Sequence, residues 1–420
     1  MKKPSLALIP SGYKAGKVYS ILPNNGVGDF TFTRNSVATR VNKDGLIEEV
    51  AIDTPRLDYS DSNCPSLLLE PQKTNLVPYS EDFSQANWVK LNSINEINQT
   101  ISPDGTLNSN KVTQSGGTAE HSIYNTISIV SGTTYTISIF VKYIDWQYFQ
   151  VRARFGGFGE EIGIIYDAIN KTKTAEKGSL VSYKIEEYPN DWVRVSITAQ
   201  AISNSTAGGF VLAFNNSQSI FNDVNVPNTG KSVYAWGAQT EEGSYPTSYI
   251  PTEASTATRD NDFISGAGNA NLFNSLDGTF FVQMASFLNT QTNSNGIELS
   301  DSSGQNRVTI QYDTTNNQIR AEIKVANVTE ALFFTSTYDV TNFNKIAVTY
   351  KYNEAKLYIN GNLISTDTNV NIFAEDTLTE VRSTIAGISS GAFNLQAKIK
   401  DLRVYDKALT DAELIELTSN

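Results

Sequence analysis

The chain has 420 residues, a formal net charge of -12 and a hydrophobic fraction of 40%. Single hydrophobic cores stop growing at about 250 to 300 residues, so several domains are expected. The excess of 44 acidic over 32 basic residues, with no basic run, would repel a phosphate backbone and sets nucleic acid aside as a partner.

No apolar run approaches the ~18 residues of a membrane-spanning helix, so no membrane insertion is expected. One cysteine and one histidine leave no internal disulfide and no zinc site built from several imidazoles or thiolates. No cofactor is expected, nor any metal other than oxygen-bound calcium, to which no site is assigned, and Cys64 reads as a small buried hydrophobe.

Taken from the start, Met1-Lys2-Lys3 looks like a secretory leader, but Pro4 follows and the apolar stretch 6–9 stops at Pro10. The expectation is a protein made in a cytoplasm and released by another route, such as lysis. Tyr135, Ile137, Ile139 and Val141 alternate with Thr136, Ser138 and Lys142. Phe149, Val151, Ala153 and Phe155 alternate with Tyr148, Gln150, Arg152 and Arg154, and Val193, Val195, Ile197 and Ala199 with Trp192, Arg194, Ser196 and Thr198. Val308, Ile310 and Tyr312, then Ile319, Ala321, Ile323 and Val325, repeat the pattern, so half-buried strands are predicted in both halves.

Turns are predicted at Asp44-Gly45, Asp104-Gly105 and Asp277-Gly278, and a type I′ hairpin at Asn360-Gly361. Near the end, Thr410 and Glu413 stand in the spacing of a capping box, with Leu414 and Leu417 on one face of a short helix that would pack on the last sheet. The fold class predicted is all-β: two antiparallel β-sandwich (jelly-roll) domains after a short N-terminal β-rich attachment segment. The boundaries are placed at 1–78, 79–257 and 258–420, the second within the small polar stretch 252–258.

Three stretches resemble known families. Residues 5–82, with DFTFTRNSVATRVNKDGLIEEV, PRLDY and SLLLEPQKTNL, resemble a segment of virion and tail-fibre proteins of tailed phages, particularly those infecting Bacteroidota. The resemblance implies a virion protein, either a tail fibre or a head fibre. Residues 75–250, with NLVPYSEDFSQANW and YAWGAQTEEGSYPTSYIPT, look like a carbohydrate-binding jelly roll. Where such modules often carry a calcium-binding carboxylate, this chain has Tyr234, Trp236 and Gln239. Residues 276–419, with GTFFVQ, KIAVTYKYNEAKLYINGNLIS and IKDLRVYDKALTDAEL, resemble a concanavalin-like or laminin-G-like lectin sandwich.

Catalytic constellations are missing from the sequence. His121 reads as a satisfied or solvated side chain. The paired carboxylates of concanavalin-like hydrolases, Glu-x-Asp-x-x-Glu, are absent. Glu160-Glu161 and Glu186-Glu187 would point to opposite faces of a strand, and residues 156–159 read as a loop rather than a phosphate cradle. No catalytic residue is assigned, and the protein is read as a non-enzyme.

What remains suits sugar rings, whose C–H faces stack on aromatic side chains while Arg and Gln bond the hydroxyls. The candidate ligand residues are Trp146, Tyr148, Gln150, Arg152, Arg154 and Trp192, with a subunit interface as the competing use of the same side chains. Trp88 and Trp236 are assigned to the core, and Tyr358, Asp301, Asn306 and Asp313 are dispersed exposed candidates in the lectin-like region. The function expected is a phage virion fibre or appendage protein that binds host-surface polysaccharide. Residues 1–78 would contact other virion proteins, and a homotrimer is expected by analogy with phage fibres. The alternatives are a purely structural capsid or tail decoration protein, or a polysaccharide depolymerase.

Overall fold

The computed structural model describes residues 2–219, 221, 225–301, 303–385 and 394–419. Nearly every element is a strand, and the single helix among the described residues is Asp411–Thr418. Two compact units result, one made of 1–37, 50–72 and 260–420, the other of 38–49 and 73–259.

The second unit is a jelly-roll sandwich of two six-stranded antiparallel sheets. The first sheet runs Trp88–Leu91, Ser122–Ile129, Ser205–Phe214, Tyr148–Ala153, Ile162–Asp167, Thr172–Lys177. The second runs Ser93–Glu96, Asn110–Gln114, Ser232–Glu242, Thr134–Tyr143, Trp192–Gln200, Leu180–Tyr188. The alternation read from the sequence sends Ile137, Ile139 and Val141, Phe149, Val151 and Ala153, and Val193, Val195 and Ile197 into the core between the sheets, with Trp88. Phe155 departs from its predicted inward place: the strand ends at Ala153, and Phe155 begins the 156–159 loop with 64% of its surface exposed.

The other unit is a lectin-like sandwich. Its larger sheet has eight strands, among them Asp277–Ser286 and Ala397–Tyr405, and its smaller sheet runs Val328–Thr335, Ile319–Val325, Arg307–Tyr312, Asn295–Ser300, Glu380–Arg382. The Asn360-Gly361 hairpin forms as predicted, with φ of 49° and 81° at its two residues. The capping box forms too: Glu413 N donates to Thr410 Oγ1 at 3.4 Å and Thr410 N to Glu413 Oε2 at 3.0 Å. Leu414 and Leu417 are buried against the large sheet. Asp277-Gly278 is not a turn but the start of a strand, where a Cβ at 278 would stand 2.2 Å from Tyr350 Oη.

The first 78 residues do not form a body of their own. Leu6–Leu8 and Ser66–Leu69 both pair with Ala397–Tyr405, and Phe30–Thr33 pairs with Phe263–Ser265. The resemblance-bearing string supplies the reason. Arg34 and Arg56, both fully buried, share Asp262, and Arg56 also holds Glu70 at 2.5 Å. Burial pulls the Arg56 guanidinium down, but Asp262 and Glu70 more than offset this and hold it above its ordinary value. The residues of the string therefore stitch chain segments some 200 positions apart within one unit, by pairing charges that neither segment could bury alone. Cys64, expected inside, is exposed, because it sits in the turn before Ser66–Leu69.

Candidate functional site

Of the six predicted ligand residues, the fold brings four onto one face. Tyr148, Gln150, Arg152 and Arg154 lie on the side of the first sheet facing away from the core, because Phe149, Val151 and Ala153 between them enter it. Burial divides the four: Gln150 is fully buried and Arg152 is 5% exposed, whereas Tyr148 and Arg154 are half-buried. Gln150 Nε2 donates to Asn215 Oδ1 at 2.7 Å. Arg152 bridges Glu120 at 2.6 Å and Glu161 at 2.5 Å, and Glu161 also lies 3.5 Å from Lys177. Arg152 is thus a strut between neighbouring strands rather than a free ligand donor.

Trp146 is not an open platform. Its indole N–H donates to the carbonyls of Tyr148, at 2.7 Å, and Asn215, at 3.2 Å, and its ring meets Phe214 edge-on at 5.9 Å. Tyr148 donates to Gln218 at 3.4 Å.

The accessible end of the face lies around Arg154. Its guanidinium stands 4.3 Å from the centre of the Tyr124 ring, two strands away. Arg152 and Tyr124 both pair with Val211, and Arg154 N donates to Gly209 O at 2.9 Å, so Gly209 occupies the crossing point. Glycine is required there by the neighbouring strand: a Cβ at 209 would stand 2.3 Å from Asn125 O, and the φ of 132° is one that other residues rarely adopt. Exposed Phe155 follows immediately in the chain. Tyr124 was missed from sequence; the alternation of Ile123, Ile127 and Ile129 inward places it outward, but nothing local says which strand lies beside it.

Trp192 does not join this face, which corrects the expectation that it projects outward with Arg194. Both residues do alternate away from the main core, but on the second sheet, whose outer face is covered by residues 244–252 and by the hairpin of Ala38–Val41 and Ile47–Val50. Trp192, Trp236, Phe140, Tyr249 and Ile47 form a second small core there. Trp192 Nε1 donates to Ile101 O at 2.9 Å and Arg194 to Thr247 O at 2.7 Å. Glu81, at the edge of this cluster, accepts from Tyr249 Oη and from Asn108 Nδ2, both at 3.0 Å. Burial, with Asp104 and Glu49 adding repulsion against these hydrogen bonds, pushes its carboxyl up to about 7.

His121 is buried, with Nδ1 2.6 Å from Asn92 O and Nε2 3.0 Å from Val226 O, and among the described residues no serine or cysteine nucleophile engages the ring. Tyr358 of the lectin-like unit, expected to be exposed, is 3% exposed because the helix covers it. Asp301 bonds Asn306 at 2.8 Å and Ser303, whereas Asp313 binds Ser294 and Arg320 at the opposite end of Arg307–Tyr312, so these loops do not converge. No group of three or more His, Cys, Asp or Glu that could hold a metal occurs among the described residues.

On the smaller lectin-like sheet, Glu298, Thr309 and Glu322 form one cross-strand row on the side away from the core. Each acid is held by arginine, Glu298 by Arg382 at 2.8 Å and Glu322 by Arg307 at 3.0 Å and Arg320 at 3.4 Å. Burial opposes ionisation of Glu322, but its hydrogen bonds from Arg307 and Thr329 and the charges of Arg307 and Arg320 win and hold it below the usual carboxylate range. Such a carboxylate has no proton to give to a leaving group at neutral pH.

Residues 278–415 match the family described as the concanavalin A-like lectin/glucanases superfamily. Among solved structures, the chain is similar to the Ruminococcus gnavus IT-sialidase CBM40 bound to α2,3-sialyllactose, at 18% identity and a TM-score of 0.31, over 37% of this chain and 88% of that one. It is also similar to the native heptameric SAP-like pentraxin of Limulus polyphemus, at 16% identity and a TM-score of 0.29, over 34% and 70%. A third is the receptor-binding domain of botulinum neurotoxin mosaic serotype C/D, at 15% identity and a TM-score of 0.30, over 37% of this chain and 39% of that one. No match was found among curated proteins.

Proposed function

We propose that the protein is a non-catalytic glycan-binding protein, and that the ligand meets the outer face of the first jelly-roll sheet at its Arg154 end. One observation carries the reading. The outer face of the second sheet is closed by its own chain, whereas the first ends in a half-buried Arg154–Tyr124 pair, with exposed Phe155 next in the chain. An exposed aromatic ring takes the C–H face of a pyranose, and the neighbouring guanidinium bonds its oxygens. The arginine-bound carboxylates of the lectin-like unit favour binding over hydrolysis.

The N-terminal string supports a place on a phage virion, with host-surface polysaccharide as the receptor and assembly as a trimer. Weak sites on a multimer would gain avidity of about 10² to 10⁴ from effective concentration. The test is saturable binding of labelled protein to a panel of encapsulated bacterial cells before and after periodate oxidation of their surface glycans. Binding abolished by periodate is expected; binding that survives periodate and the Phe155→Ala change would point to a protein receptor and sink the glycan reading.

A further inference from the structure

Ten of the eleven arginines use their side chains in hydrogen bonds or ion pairs: Arg34, Arg40, Arg56, Arg152, Arg194, Arg259, Arg307, Arg320, Arg382 and Arg403. Arg154 alone makes neither among the described residues; its guanidinium has only the Tyr124 ring beneath it. Acidic residues outnumber basic ones by 12 in this chain, so an accessible arginine left without a carboxylate is not explained by a shortage of partners. Glu120 and Glu161 stand on the same face but are taken by Arg152, and Glu161 also by Lys177. Within that group the three cations, Arg152, Arg154 and Lys177, exceed the two acids by one, and the excess charge sits on Arg154.

The guanidinium lies over the Tyr124 ring and its N–H donors make no hydrogen bond among the described residues, which leaves the planar fork that grips two oxygens of one oxyanion available. From this we infer that the glycan is acidic, with a sugar carboxylate gripped in bidentate fashion by Arg154. The inference rests on the glycan-binding reading and narrows its ligand class. A sulfate ester offers the same paired oxygens, and the experiment separates the two sources.

The purified full-length protein is presented with immobilised alginate, hyaluronan and polygalacturonate, with each after chemical reduction of its carboxylates to alcohols, and with dextran and dextran sulfate. The expected result is binding to at least one carboxylated polymer, lost on carboxyl reduction, weakened by salt, and reduced 10-fold or more by Arg154→Gln with partial recovery in Arg154→Lys. Tryptophan emission is a folding control, because all four tryptophans, Trp88, Trp146, Trp192 and Trp236, lie in the jelly-roll unit. Binding to a neutral polymer, indifferent to carboxyl reduction and to Arg154→Gln, would overturn the acidic ligand and leave the glycan reading standing. Binding to dextran sulfate alone would overturn the carboxylate in favour of a sulfate. Binding to none of these polymers, together with loss of periodate sensitivity on cells, would overturn both readings.

Discussion

Glu81 makes the jelly-roll unit sensitive to pH, in a direction opposite to that of an ordinary paired carboxylate. Its folded-state value of about 7 lies above the 4.5 of an unhindered glutamate, so the folded state favours the neutral acid. The stabilising effect is fully present below the unfolded value and is lost as pH rises through the folded one. Between pH 5 and pH 8 the linkage relation gives a loss of about 2.5 kcal/mol, reduced to about 1 to 2 kcal/mol by solvent at the half-buried carboxyl. Glu81→Gln removes the ionisation while its amide oxygen keeps the Tyr249 bond. The new amide nitrogen faces Asn108, whose buried Oδ1 has no partner, so a flip of that amide supplies an acceptor. Urea unfolding followed by tryptophan emission reports this unit alone. The wild type should lose stability between pH 5 and pH 8, and the variant should equal it at pH 5 and exceed it at pH 8. A variant less stable than wild type at pH 8 would refute the reasoning.

Removing the shared acid at Asp262→Ala leaves two fully buried guanidiniums short of a counter-charge and should cost the lectin-like unit about 3 to 5 kcal/mol, read as a lowered thermal midpoint by circular dichroism with tryptophan emission little changed. Trp192→Ala empties the second small core and should destabilise the jelly roll by about 3 to 5 kcal/mol, yet leave glycan binding by the folded fraction intact, as measured on immobilised polymer. Thr410→Ala removes the helix cap and should cost about 1 kcal/mol, visible as faster amide exchange in Asp411–Thr418.

Local signals in the sequence carried well into the structure. The Asn-Gly hairpin at 360, the capping box at 410 and the inward alternation of Ile137, Phe149 and Val193 each depend on a few neighbouring residues, and each formed. Non-local features were hidden. Trp192 alternates away from the main core just as Tyr148 does, but the second sheet's outer face is covered by segments some 50 and 150 positions away, which no pattern around Trp192 records. The pairing of Arg34 and Arg56 with Asp262 likewise spans more than 200 positions, so residues 1–37 and 50–72, which read as part of a separate N-terminal module, fold into the lectin-like unit. At the candidate site, alternation placed Arg154 on the outer face, but its Tyr124 partner depends on two intervening sheet registers.

The most direct test of the account is a hydrogen-exchange footprint of the full chain with and without a bound polysaccharide at saturating concentration. Protection confined to Ser122–Ile129, Tyr148–Ala153 and the residues just beyond, through Phe155 and Gly209, is expected. Protection centred instead on Asn295–Ser300 and Ile319–Val325, with the jelly-roll strands unchanged, would contradict it.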